Sequence, residues 1–240
     1  MKIAQGISSS LMFIVPPIAL YIITRPEPMT ALGFRKINKW WFFVAGIALM
    51  FISLPITNML TEWNEGMNLG ERFAKIEEMM KNLEDTAAAL TEKMLKVDTF
   101  GGLMFNLLVI ALIPAIGEEL TFRGVIQQAL TKKHPHLGIW ISAAIFSFIH
   151  FQFYGFVPRM FLGLILGYLF YVTGSLWTSI AMHFVNNGTA VVVYYLDNKG
   201  VIDAEVDSFG STDSWWVLAL SIVVTVAVIV VGMRRKAIGH

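Results

Sequence analysis

Glu118, Glu119 and Arg123 stand in an otherwise apolar run from Thr99 to Leu130. Ionisable groups held in hydrocarbon cost roughly a few kcal/mol each on insertion scales, so they mark functional positions. Glu119 and Arg123 are four residues apart on one helix face, where carboxylate and guanidinium can pair. Glu118 lies about 100° around the axis and is left for another task. Two more pairs repeat the spacing, Phe146-x-x-x-His150 and His183-x-x-x-Asn187. At about 1.5 Å per residue, Glu118 and His150 each lie roughly 20 Å from the basic connection that holds Lys132 and Lys133. On the same rise His183 lies roughly 10–15 Å from the connection before its own helix, with Asn187 one turn further. Glu118, His150, His183 and Asn187 therefore share a layer if their faces converge.

A carboxylate in a low-dielectric pocket is a better base than one in water. Glu118 is the candidate general base for a water molecule, and His150 could share or relay the proton. His183 and the Asn187 amide could stabilise a developing oxyanion. Together they compose a hydrolytic site for an amide bond. Other intramembrane protease designs do not fit: there is no His-Glu-x-x-His, no Gly-x-Gly-Asp and no Gly-x-Ser-Gly. Ser147 is read as a helix-packing hydroxyl.

These residues need a scaffold that holds them inside a membrane. The 240-residue chain is 56% hydrophobic and 15% charged, with a mean hydropathy of +0.64, outside the usual range of soluble domains. The fold class expected is all-α, a polytopic membrane helical bundle with about seven transmembrane helices and one amphipathic extramembrane helix. A net charge of +1 with dispersed basic residues gives no footing for nucleic acid. The absence of cysteine excludes disulfides, a thiolate nucleophile and cysteine-based zinc sites.

A spanning helix takes about 20 mostly apolar residues. Seven segments qualify or nearly do: Ile7 to Thr24, Lys39 to Leu60, Thr99 to Leu130, Leu137 to Phe151, Phe156 to Thr173, Leu176 to Leu196 and Trp215 to Met233. The expected organisation is one membrane domain over residues 1–240. It has two N-terminal spans (7–60), an acidic outer segment (63–98), core spans (99–196) and a C-terminal span (215–233). The first segment lacks a small-x-small cleavage site before Arg25 and is read as a retained span. Arg25, Arg35, Lys36, Lys39, Lys132, Lys133 and Arg234-Arg235-Lys236 assign their connections to the cytoplasmic side. The acidic connections, the second holding Asp197, Asp203, Glu205, Asp207 and Asp213, then face outward. The expected topology is N-terminus out and C-terminus in, in a prokaryotic cytoplasmic membrane.

In the outer segment Phe73, Ile76, Met80, Leu83, Ala87, Leu90, Met94 and Val97 recur at three- and four-residue steps, the pattern of an amphipathic helix. It would pack on the bundle or lie in the headgroups; the alternative is a seam joining a homodimer. Gly155, Pro158, Gly163 and Gly167 in the fifth span suggest close helix contacts. Arg159 is expected to snorkel to the outer surface, the alternative being contact with a substrate carboxylate.

The ordered set Glu118-Glu119-x-x-x-Arg123, Phe146-x-x-x-His150 and His183-x-x-x-Asn187 resembles the three-motif signature of the CAAX-protease and bacteriocin-processing (CPBP) intramembrane protease family. The resemblance covers Glu118 to Asn187. It implies an endopeptidase in which Glu118 activates water, His150 assists, and His183 and Asn187 hold the oxyanion, with Glu119, Arg123 and Phe146 in support. The substrate implied is a peptide or lipidated peptide in contact with membrane lipids. Members are also described as metallopeptidases, and Glu118, His150 and His183 could ligate a divalent ion such as zinc. A metal-free site is expected here, because carboxylates that orient ligating histidines are not evident in the sequence. Two other functions stay open at this point: a non-catalytic immunity or scaffold protein of the same fold, and a proton-coupled transporter.

Overall fold

The structure is a computed structural model that describes residues 2–24, 29–37, 40–203 and 209–238. Arg25, Lys39, Glu205 and Asp207, used above to orient the chain, lie outside these residues. The described residues form nine helices and no strand: α1 (Lys2–Thr24, broken at Ile14), α2 (Trp40–Ile52), α3 (Leu54–Glu65), α4 (Ala74–Leu95), α5 (Phe100–Leu130), α6 (Pro135–Phe148), α7 (Phe156–Thr173), α8 (Leu176–Asn198) and α9 (Trp215–Ile238).

Among the described residues, four helices are long and apolar enough to cross a membrane: α1, α5, α7 and α9. A fifth crossing results if α2 and α3, bent by 42°, count as one span. The chain is an integral membrane protein. The seven expected spans are not all of that kind. α6 is apolar but has only 14 residues, and α8 has 23 residues but carries His183, Asn186 and Asn187, which lower its apolarity.

The breaks have local causes. Pro55 sits in the first turn of α3 just past the bend, where proline keeps the previous helix from continuing. In α1, Pro17 has no N–H to give the Phe13 carbonyl, and the Thr121 hydroxyl of α5 donates to that carbonyl instead at 2.7 Å. Gly117, one turn before Thr121, lets α1 come close: a Cβ there would lie 2.9 Å from that of Phe13. The break in α1 is thereby fastened to the charged stretch of α5.

α5 begins at Thr99, whose hydroxyl accepts from the Gly102 N–H at 3.0 Å, a standard N-cap. Two stretches, Leu107–Leu112 and Leu120–Gln127, adopt π-helical bonding on either side of Ile113–Glu119. Such widened turns recur at functional sites.

α7 packs on α3, α6, α8 and α9, and α5 packs on α1, α6 and α8. Leu49, Ile165, Leu166, Leu169 and Met182 form a buried cluster where α2, α7 and α8 meet. In lipid the gain there is close packing rather than escape from water.

The expected amphipathic helix exists as α4, docked by the end of its apolar stripe, where Met94 is buried, and by polar contacts. Phe73, Ile76, Leu83 and Leu90 are exposed, whereas Glu77 is buried. Glu77 accepts from the Leu69 N–H at 3.0 Å and from Lys81 at 2.8 Å, and Glu84 accepts from the Tyr154 N–H at 3.2 Å. At its far end, the buried Asn106 amide donates to the Met94 and Leu95 carbonyls at 3.1 and 3.0 Å, satisfying acceptors that a helix C-terminus leaves open.

Candidate active site

The ion pair inferred from spacing is present: Arg123 Nη1 donates to Glu119 Oε1 at 2.7 Å, with both side chains buried. Arg123 Nη2 also donates to the Gly163 carbonyl at 2.9 Å, and the guanidinium lies 4.9 Å from the centre of the Phe146 ring. One turn along α5, Gln127 donates to the Gly167 carbonyl, also at 2.9 Å. Two polar side chains of α5 thus dock, in register, on two glycine carbonyls of α7. The close approach expected of Gly163 and Gly167 is real. A Cβ at Gly163 would lie 3.1 Å from that of Ala143, and one at Gly167 would lie 2.8 Å from Gln127 Oε1.

Glu119 has a second partner. His183 Nδ1 lies 2.8 Å from the same Oε1 that receives Arg123. The carboxylate therefore fixes the imidazole with Nδ1–H as donor, and Nε2 faces Glu118 Oε2 at 3.8 Å. This corrects an expectation: a carboxylate does orient a histidine here, so its apparent absence was no argument about metal.

Phe146 is the aromatic hub. Its ring meets those of Phe122, His150 and His183 edge-on, with centroids 5.2, 5.3 and 6.0 Å apart. The Phe146 carbonyl lies 2.8 Å from His150 Nδ1. Since a carbonyl only accepts, Nδ1 carries the proton, and the neutral ring keeps Nε2 as an acceptor. Phe151, next in the chain, takes the left-handed conformation (φ 53°) that ends α6 and turns the chain toward α7.

The loop between α6 and α7 is clamped at several points. Buried Asn64 of α3 donates to the Phe153 carbonyl at 3.1 Å and accepts from the Val157 N–H at 2.8 Å. Ser147 donates to the Phe156 carbonyl at 2.6 Å, in keeping with its reading as a packing hydroxyl.

Glu118, His150, His183 and Asn187 all line one cavity of about 490 Å³, whose wall also includes Glu84, Arg159 and Asn186. Asn187 Oδ1 accepts from Asn186 at 3.2 Å, which leaves the Asn187 N–H groups available as donors. All four residues chosen from the sequence are brought together. Arg159 is a correction: it does not reach away from the bundle but borders this cavity with a buried Nη1. Gln127, Asn64 and Asn106 were not singled out, because isolated amides carry no spacing signal.

Among the described residues no group of three His, Asp or Glu side chains is placed to hold a metal ion. The side chains lining the cavity offer a carboxylate facing an imidazole, a second imidazole with a free acceptor, and an amide donor.

Residues 100–189 match the Rce1-like family, described as type II CAAX prenyl endopeptidase. The chain is 29% identical over 84 residues to a protein of Bacillus subtilis (strain 168) named "Uncharacterized protein YpbD", a stretch making up 33% of this chain. It spans 41% of the length of that curated relative. No solved structure matches. The stretch 100–189, over which the chain is similar to the Rce1-like family, includes every residue of the Glu-Glu-Arg, Phe-His and His-Asn pairs.

Proposed function

We propose that the protein is an intramembrane endopeptidase that hydrolyses a peptide bond with water activated by Glu118. The observation that carries this reading is the Arg123–Glu119–His183 relay ending opposite Glu118 in a cavity shared with His150 and Asn187.

Glu118 takes a proton from water as the oxygen adds to the scissile carbonyl carbon. The carbonyl oxygen becomes an oxyanion, stabilised by the Asn187 amide and by His183 Nε2–H in the imidazolium form. Glu118 then returns the proton to the leaving nitrogen as the C–N bond breaks, so protons and atoms balance. His150, with Nε2 as acceptor, orients the water. Glu119 and Arg123 hold His183 and do not touch substrate. No step passes through a metal.

The substrate class is a peptide, lipidated or otherwise held at the membrane, and the basic connections favour a cytoplasmic C-terminus. The test is cleavage by the purified protein in liposomes of a library of prenylated and unprenylated peptides, read by mass spectrometry. Defined cuts support the reading. A folded protein that cuts nothing while still binding peptide would replace it with a scaffold function.

A further inference from the structure

A second cavity, of about 230 Å³, lies between α1, α5 and the chain at Ala31 and Leu32. Among the described residues it shares none of its lining with the Glu118 cavity. Here α1 and α5 run parallel: Gly6 faces Val109, the Phe13 carbonyl meets Thr121, and Tyr21 and Gln128 border the cavity near both C-terminal ends. Both helices are long and apolar enough to cross a membrane, so the cavity sits between matching ends of two spans, at the level of lipid headgroups. Pro17, Leu20 and Val125 line its deeper part, and Lys132 stands at the rim, just past the end of α5 at Leu130.

Two of its polar side chains are already engaged. Thr24 donates to the Leu20 carbonyl at 2.7 Å, and Gln128 donates to the Ala31 and Gly124 carbonyls at 3.2 and 2.8 Å. Two others are open. The Tyr21 hydroxyl is buried with no hydrogen-bond partner, and Lys132 has neither an ion pair nor a hydrogen bond among the described residues. No Asp or Glu is among the described residues that line the cavity. A buried hydroxyl left open is costly unless a ligand fills it. An apolar interior with one open hydroxyl and an uncompensated cation at its rim fits a molecule with a hydrocarbon tail and an anionic head. Basic pockets between the ends of membrane-spanning helices bind anionic lipid headgroups.

We propose that this cavity is a binding site for an anionic phospholipid. Its phosphate pairs with Lys132, its glycerol-ester oxygens accept from the Tyr21 hydroxyl, and its chains leave along the exposed Leu20 of α1. The lipid ties the last turns of α1, beyond the break at Ile14, to the helix that carries Glu118 and Glu119.

The test titrates the delipidated protein in detergent with dioleoylphosphatidylglycerol, dioleoylphosphatidylcholine or inorganic phosphate, reading bound mass by native mass spectrometry and folding by the thermal midpoint. Cleavage is not needed, so the outcome is separate from that of the endopeptidase reading. Wild type should bind a single phosphatidylglycerol at least about fivefold more tightly than phosphatidylcholine, the weight of a basic residue near a headgroup. Lys132→Gln should erase the preference, and Tyr21→Phe should weaken phosphatidylglycerol by about fivefold, the weight of a hydrogen bond. Lys133→Gln, beside the cavity but not lining it, should bind as wild type does. Equal affinity for the two lipids would overturn the proposal, as would a preference that survives Lys132→Gln, unweakened binding in Tyr21→Phe, or an equal loss in Lys133→Gln. Displacement of the lipid by inorganic phosphate would make this a free-anion site and overturn the lipid assignment.

Discussion

His183 Nδ1 and Arg123 Nη1 converge on a single oxygen, Glu119 Oε1, at 2.8 and 2.7 Å. One carboxylate therefore joins α5 to α8 and compensates a buried guanidinium. Glu119→Gln should destabilise the protein by about 3–5 kcal/mol, the usual cost of leaving a buried charge unpaired. The check is the thermal midpoint in detergent. A melting temperature equal to wild type would show that the pair does not hold the bundle.

The glycine register between α5 and α7 has its own consequence. Gly167→Ala puts a methyl 2.8 Å from Gln127 Oε1 and 2.9 Å from Ile139 Cγ2, an overpacking expected to cost about 1–3 kcal/mol. Gln127→Leu removes only the bond to the Gly167 carbonyl, about 1 kcal/mol. Midpoints of the two variants and their combination should be non-additive, because both disturb one contact. Strict additivity would argue that the two residues act independently.

Much of this was legible in the sequence and some was not. The bounds of α7, the extent of α5 and the Glu119–Arg123 pair follow from apolar length and four-residue spacing, which are local signals. The link from Glu119 to His183 joins residues 64 apart in the chain, and no local spacing encodes it. The π-helical turns around Glu118 are equally silent, since they change bonding without changing composition. For α4 the periodicity announced the helix, whereas the polar contacts of Glu77 and Glu84 to the loops carry no periodic signal. Arg159 was misjudged for a related reason: length and charge permit snorkelling, and only the space over Gly155 shows where the side chain goes.

The docking of α4 should depend on pH. Hydrogen bonds from Lys81 and from the Leu69 N–H hold the Glu77 carboxyl below its ordinary range. A group with a lowered folded-state pKa contributes stability above its unfolded pKa, and that contribution is lost as pH falls through the folded value. The advantage of wild type over Glu77→Gln in thermal midpoint should be present at neutral pH and vanish in strong acid. An advantage unchanged at low pH would contradict the assignment.

Chelation should leave cleavage unaffected, because none of the proposed steps uses a metal. Treatment of the purified protein with a strong chelator, followed by a peptide assay, is the measurement. Loss of activity restored by added zinc would require a different chemistry for Glu118, His150 and His183.

The assignment of Glu118 as the base is tested most directly by comparing wild type, Glu118→Gln and Glu119→Gln in one peptide-cleavage assay, with melting temperature measured alongside. Glu118→Gln should keep a near-wild-type midpoint and lose cleavage by at least about 10²-fold, the lower end of what a positioned general base contributes. Glu119→Gln should lose stability and activity together. Cleavage that survives in folded Glu118→Gln would contradict the account.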